Sequence, residues 1–95
     1  MAAYLIAEIE VINLDQYGEY RDKVPKTVRQ FGGRYIIRSN DIVLLEGTWS
    51  PERFVVIEFP NMDALKKWYE SDKYISLRNM RISSTFSKVI AVDGV

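Results

Sequence analysis

Five residues carry side chains that could grip or activate a small molecule: Tyr20, Glu46, Trp49, Arg53 and Trp68. Three of them fall in the run EGTWSPER, Glu46–Arg53, where a turn around Ser50-Pro51 could bring an acid and a guanidinium together. In that arrangement Arg53 would orient a substrate carboxylate through two parallel bonds, and Glu46 would take or give a proton. The competing reading is a structural salt bridge across a hairpin. Trp49 in the same turn serves either as a platform for a flat ligand or as a plug at the edge of the core. Tyr17, Tyr20, Trp68 and Tyr69 join apolar bodies to polar tips, so they either fill a core or line a cavity between helix and sheet. Glu58 interrupts an otherwise apolar run, RFVVIEFP at Arg53–Pro60, and a carboxylate there needs a partner.

Much chemistry is excluded by composition. The 95 residues contain no histidine and no cysteine. Imidazole- or thiolate-bound zinc and haem, disulfides and thiol nucleophiles are therefore ruled out. A carboxylate-only metal site would need a spaced acidic cluster such as Asp-x-Asp-x-Asp-Gly, and none is present. Nucleophile elbows and glycine-rich phosphate loops are also missing. The expected protein holds no metal and no tightly bound cofactor. Thirteen Lys and Arg balance thirteen Asp and Glu, so the surface is not the basic one that nucleic-acid binding favours. The apolar N-terminus MAAYLIAEIEVI is broken by Glu8 and Glu10, unlike a signal peptide, and no apolar run reaches the roughly 20 residues of a membrane span. A cytoplasmic protein without membrane or nucleic-acid partners is expected.

The elements that must position these residues follow from periodicity. Tyr4–Ile12 alternates, with Leu5, Ala7, Ile9 and Val11 on one face, as a strand does. Tyr17, Tyr20, Val24, Val28 and Phe31 recur at steps of three and four, predicting a helix from about Asp15 to Gly32-Gly33, with Pro25 as a kink. Arg34–Arg38 and Ile42–Glu46 each read as strands, joined by a turn or bend at Ser39-Asn40-Asp41. Phe54–Phe59 is a further strand. Asn61 caps a second helix through Met62, Leu65 and Tyr69, and Ser71-Asp72 offers a break before further helical turns. Thr85–Val92 closes the chain as a strand. One domain over residues 1–95 results, an α+β fold with strand, helix, strand, strand, helix, strand order. Its antiparallel four-stranded sheet carries both helices on one face.

Two helices cover only one face of such a sheet, yet VVI, YII, VLL and VIAV are apolar on both parities. A second copy packed sheet to sheet about a two-fold axis supplies the missing cover, so a homodimer is expected. Glu8, Glu10 and Glu58 would share that buried face, with Arg34, Arg38 and Lys88 as candidate partners. The element order also matches an RNA-recognition motif, but RFVVIEFP lacks that module's glycines and carries an acid.

The segments AEIEVINLDQYGEYRDKVP, FGGRYIIRS, LLEGTWSPERFVVIEFPNMDALKKWYES and YISLRNMR resemble the family named domain of unknown function 1330. The likeness runs from about Tyr4 to Val92. It implies a ferredoxin-like subunit of the dimeric α/β-barrel superfamily, which includes cofactor-independent monooxygenases and isomerases. Haem-binding relatives hold iron through histidine, which this chain lacks. The resemblance implies the fold and the homodimer and supplies no function. With Tyr20, Glu46, Trp49, Arg53 and Trp68 as the pocket, the expectation is a small-molecule-binding protein working without a cofactor on a small aromatic or carboxylated metabolite. The alternative is a non-catalytic homodimeric binding or stress-related module.

Overall fold

A computed structural model describes every residue from Met1 to Val95. The chain runs β1 (Ala3–Val11), α1 (Leu14–Gln30), β2 (Arg34–Ser39), β3 (Arg53–Phe59), α2 (Met62–Tyr69), α3 (Asp72–Ser84) and β4 (Thr85–Asp93). The four strands form one antiparallel sheet in the order β2-β3-β1-β4, the ferredoxin-like arrangement expected. Helices lie on one side only, so the Cα trace is a flat slab of 35 × 33 × 16 Å.

Local chemistry sets the boundaries. Asn13 Oδ1 accepts from the Gln16 amide at 3.0 Å and starts α1. The chain leaves α1 through Gly32, whose φ of +79° suits glycine, while the Gly33 amide donates to Val28 O. The helix continues through Pro25 without a break. Asn61 and Ser71 cap α2 and α3 in the same way. Ser71 divides the second helical stretch in two, and the third helix, with 13 residues, is longer than the turn or two expected from sequence.

One expected strand is absent. Ile42–Glu46 forms no regular structure; Asn40–Glu52 is a loop whose apolar side chains stand in solvent. The residues have strand-forming side chains but no neighbouring strand in their own sheet with which to pair.

The two sheet faces differ. Leu5, Ala7, Ile9, Val55, Ile57 and Phe59 point inward and pack against Val24, Val28, Leu65 and Trp68 from the helices. The outer face carries a row crossing all four strands, Ile37–Val56–Ile6–Ile90, in register. A bulge places Ile36 and Ile37 together opposite Val56. Ile37 and Ile90 are 44% and 57% exposed, and Phe86 is 69% exposed.

Candidate functional site

The helix–sheet layer holds an aromatic and phenolic cluster. Trp68 is fully buried; its indole N–H donates to Thr27 Oγ1 at 3.0 Å and its ring stacks on Tyr74 at 3.9 Å between centroids. The phenol oxygens of Tyr20 and Tyr74 lie 2.9 Å apart. Each position follows from helical spacing: Tyr17, Tyr20, Val24 and Val28 form the inner stripe of α1, while Tyr74, Leu77, Arg81 and Ser84 form that of α3. Burial raises the Tyr20 phenol well above its ordinary value, with Tyr74 adding to the effect, so Tyr20 stays protonated near neutral pH. Tyr35 is raised as well, mainly by burial and against the nearby Arg38 guanidinium. Between these rings and the strands lies a chamber of about 20 Å³, room for one water-sized molecule.

Arg81 is the unusual member. It is 4% exposed, its Nη1 donates to Ser87 Oγ at 2.6 Å, and no carboxylate pairs with it. Burial opposes its charge, but the phenol oxygens of Tyr74 and Tyr20 favour it, and the balance lies above the ordinary arginine value. Its guanidinium is therefore a buried cation without a matching acid, and such charges are costly unless something anionic compensates them.

Arg81 also joins two spaces. It lines the small chamber and, together with Ile9 and Val89, an open cleft of about 710 Å³ at one end of the sheet. Glu8, Glu10 and Glu52 line the same cleft, with Lys88 and Phe86. The arrangement offers a wide mouth carrying acids and a narrow interior carrying a cation and phenols. That combination can hold an acidic aromatic molecule and move a proton from it.

The five residues singled out in the sequence separate into two groups. Tyr20 and Trp68 belong to the buried cluster. Arg53 points inward beside Ile9, its Cζ 5.6 Å from the Tyr17 ring centre, and its Nε is buried without a hydrogen-bond partner. Glu46 and Trp49 lie away from this cluster. Glu46 is exposed in the Asn40–Glu52 loop and forms no ion pair with Arg53. Trp49 meets the outer sheet face, where its indole donates to Glu8 Oε2 at 2.7 Å and stands edge-on to Phe54. Glu58 is also on the outer face, accepting from Arg34 Nε at 2.8 Å and from the Tyr4 hydroxyl at 3.0 Å. Arg34 is thus the partner that Glu58 requires.

Sequence reasoning missed Arg81, Tyr74 and Tyr35 as site residues. The signal for Arg81 was present: it follows Tyr74 by seven residues and Leu77 by four, on the apolar stripe of α3. A charged residue at an inward position is what such spacing should have flagged. No set of three or more Asp, Glu, His or Cys side chains is grouped so as to hold a metal ion. No helix is long and apolar enough to cross a membrane.

The chain belongs to the family described as domain of unknown function (DUF1330), whose model matches residues 2–95. It is similar in fold to the RPA0582 protein of unknown function from Rhodopseudomonas palustris: 12% identity over 99% of this chain and 82% of that one, TM-score 0.82. A dimeric ferredoxin-like protein of unknown function from Jannaschia sp. CCS1 is similar at TM-score 0.76, with 12% identity over 99% of this chain and all of that one. SnoaB, a cofactor-independent oxygenase from Streptomyces nogalater, matches at TM-score 0.69, with 9% identity over 99% of this chain and 93% of that one. No curated protein matches the chain in sequence.

Proposed function

We propose that the protein is a cytoplasmic homodimer that binds a small aromatic carboxylate or similarly acidic metabolite in the Arg81 cleft and acts on it without a bound cofactor. The buried, unpaired guanidinium of Arg81 at the junction of cleft and chamber carries this reading. A ligand carboxylate or phenolate there supplies the missing anion. Glu8, Glu10 and Glu52 are the carboxylates of the cleft that can take a proton from the ligand.

An electron-rich phenol held as its anion by Arg81 is a reductant toward dioxygen. In the oxygenation we favour, one oxygen atom enters the ring as a quinone carbonyl. The other leaves as water with the ring hydrogen and the hydroxyl hydrogen. The likeness to SnoaB, described as a cofactor-independent oxygenase, supports this class of reaction at the level of fold.

The dimer rests on the outer face. The chain exposes 6215 Å², against about 5,700 Å² for a typical monomer of 11.1 kDa. Ile37, Ile90 and Phe86 face solvent on the outer sheet face, and similar structures are described as dimeric.

Calorimetric titration with benzoate, salicylate and 4-hydroxybenzoate, with benzamide as the uncharged control, tests the reading. Binding that requires the acid and weakens in Arg81→Gln supports it, and oxygen uptake with a bound phenolic acid supports the reaction class. Equal affinity for acid and amide overturns the anion site. Binding without turnover of any phenolic acid leaves a binding module and overturns the enzyme.

A further inference from the structure

We propose that Arg21, Arg38 and Arg53 form an anion site at the outer mouth of the small chamber, and that its ligand is a phosphoryl dianion. The site is separate from the Arg81 cleft and does not depend on the function proposed there.

The strand register brings two of the three arginines together. Arg38 stands opposite Val55 and Arg53 opposite Ile9, so both share the inner face with those core residues. They are diagonal neighbours on β2 and β3, a spacing of about 7–8 Å. The bulge at Ile36 is what turns Arg38 inward, since Tyr35 and Arg38 would face opposite ways on a regular strand. Arg21 comes from the helix layer. It follows Tyr17 by four residues and so lies on the same side of α1, and the Arg53 guanidinium sits 5.6 Å from the Tyr17 ring centre. Of the residues lining the chamber only Arg21 and Arg38 are exposed, which puts its mouth between α1 and β2.

Nothing in the chain neutralises this group. No carboxylate pairs with Arg38 or Arg53, and none lines the chamber. Arg21 meets only Asp22, its neighbour in sequence, at 3.9 Å, and that carboxylate is 76% exposed. Arg53 Nε is buried and donates to no acceptor. Like charges on neighbouring positions of a sheet repel, and a buried donor left unpaired is costly. A single anion offsets both.

The number of guanidiniums selects the anion. A carboxylate offers two oxygens and one charge, whereas a phosphoryl group offers three oxygens and about two charges near neutral pH. Guanidinium forks match those oxygens through pairs of parallel bonds. The rings of Tyr35 and Tyr17 lie under Arg38 and Arg53 and help to hold them in place. At about 20 Å³ the chamber behind admits no ring, so the organic part of a phosphate ester stays outside the mouth.

Calorimetry and thermal melting of the full chain with inorganic phosphate and phenyl phosphate test this, with ionic strength held constant by chloride. Both should bind saturably and raise the melting temperature. Equal affinities support free phosphate as the ligand, and preference for phenyl phosphate supports a phosphorylated metabolite. Affinity should rise several-fold from about pH 5 to pH 7, because the second phosphoryl proton leaves near pH 6, while benzenesulfonate, singly charged throughout, binds weakly and without that rise. Arg38→Gln alters an exposed side chain, so it should leave the subunit folded and weaken phosphate binding at least about tenfold, and Arg53→Gln should do the same. No saturable binding of either phosphate, or binding that ignores Arg38→Gln, overturns the site. Binding lost in Arg81→Gln but kept in Arg38→Gln belongs to the Arg81 cleft and overturns it too.

Discussion

The Trp49 indole N–H lies 2.7 Å from the Glu8 carboxylate, joining the root of a solvent-exposed loop to the outer face of a central strand. Glu8 stands opposite Phe54 on β3 and opposite Lys88 on β4, so this one bond gathers three strands beneath a single indole. Trp49 is 54% exposed and Trp68 fully buried, which makes the two tryptophans separate reporters. On dilution to monomer, emission from Trp49 should shift to longer wavelength while that of Trp68 holds. Single-tryptophan variants Trp49→Phe and Trp68→Phe, read by fluorescence across a dilution series, assign the two signals.

Trp68 should dominate subunit stability. Trp68→Ala removes a fully buried ring stacked on Tyr74 and bonded to Thr27, and should cost about 3–5 kcal/mol. Tyr74→Phe keeps the stack and removes one hydroxyl, costing about 1 kcal/mol. Urea unfolding of both variants checks the ratio.

Glu58 should shape the acid limb of stability. Hydrogen bonds from Arg34 and then Tyr4 hold its carboxyl below the ordinary 4.5. That stabilisation is fully present above the ordinary value and is lost as pH falls through the lower folded one. The same contact raises the Tyr4 phenol above 10.0, first through the hydrogen bond with Glu58. Its contribution is present below that value and is lost as pH rises through the folded one. Glu58→Gln should flatten both limbs in melting curves taken across pH.

Arg81→Gln should weaken aromatic carboxylate binding by about tenfold to a hundredfold, the range of a charge-assisted hydrogen bond. Benzamide should bind the variant and the native chain alike. Affinity for the acid should be flat from pH 6 to 9, because the Arg81 guanidinium stays charged and the Tyr20 phenol stays neutral across that range. Calorimetry at three pH values checks both statements.

Most of the fold was legible because local signals agreed with it. The alternation of Leu5, Ala7 and Ile9, the stripe from Tyr17 to Val28, the cap Asn61 and the break at Ser71 all match the structure. Ile42–Glu46 reads as a strand because side-chain type reports fitness for a sheet, whereas a strand also needs a backbone neighbour that periodicity does not reveal. The site was less legible. Glu46 and Arg53 flank one turn in sequence, but Arg53 lies on the inner parity of β3 and Glu46 on the loop, so proximity along the chain did not become contact. Arg81 is marked locally as a charge on the inward stripe of α3, but its surroundings are not. Tyr74 is its neighbour along α3, whereas Tyr20 comes from α1, and only the packing of the two helices brings it near.

Native mass spectrometry of the freshly purified, untagged chain tests the central claim, that two outer faces pair, most directly. The expected mass is twice 11.1 kDa, with a further small acid retained when the spray is gentle. A species at 11.1 kDa alone, unchanged as concentration rises, would contradict it and leave Ile37, Ile90 and Phe86 facing water without a reason.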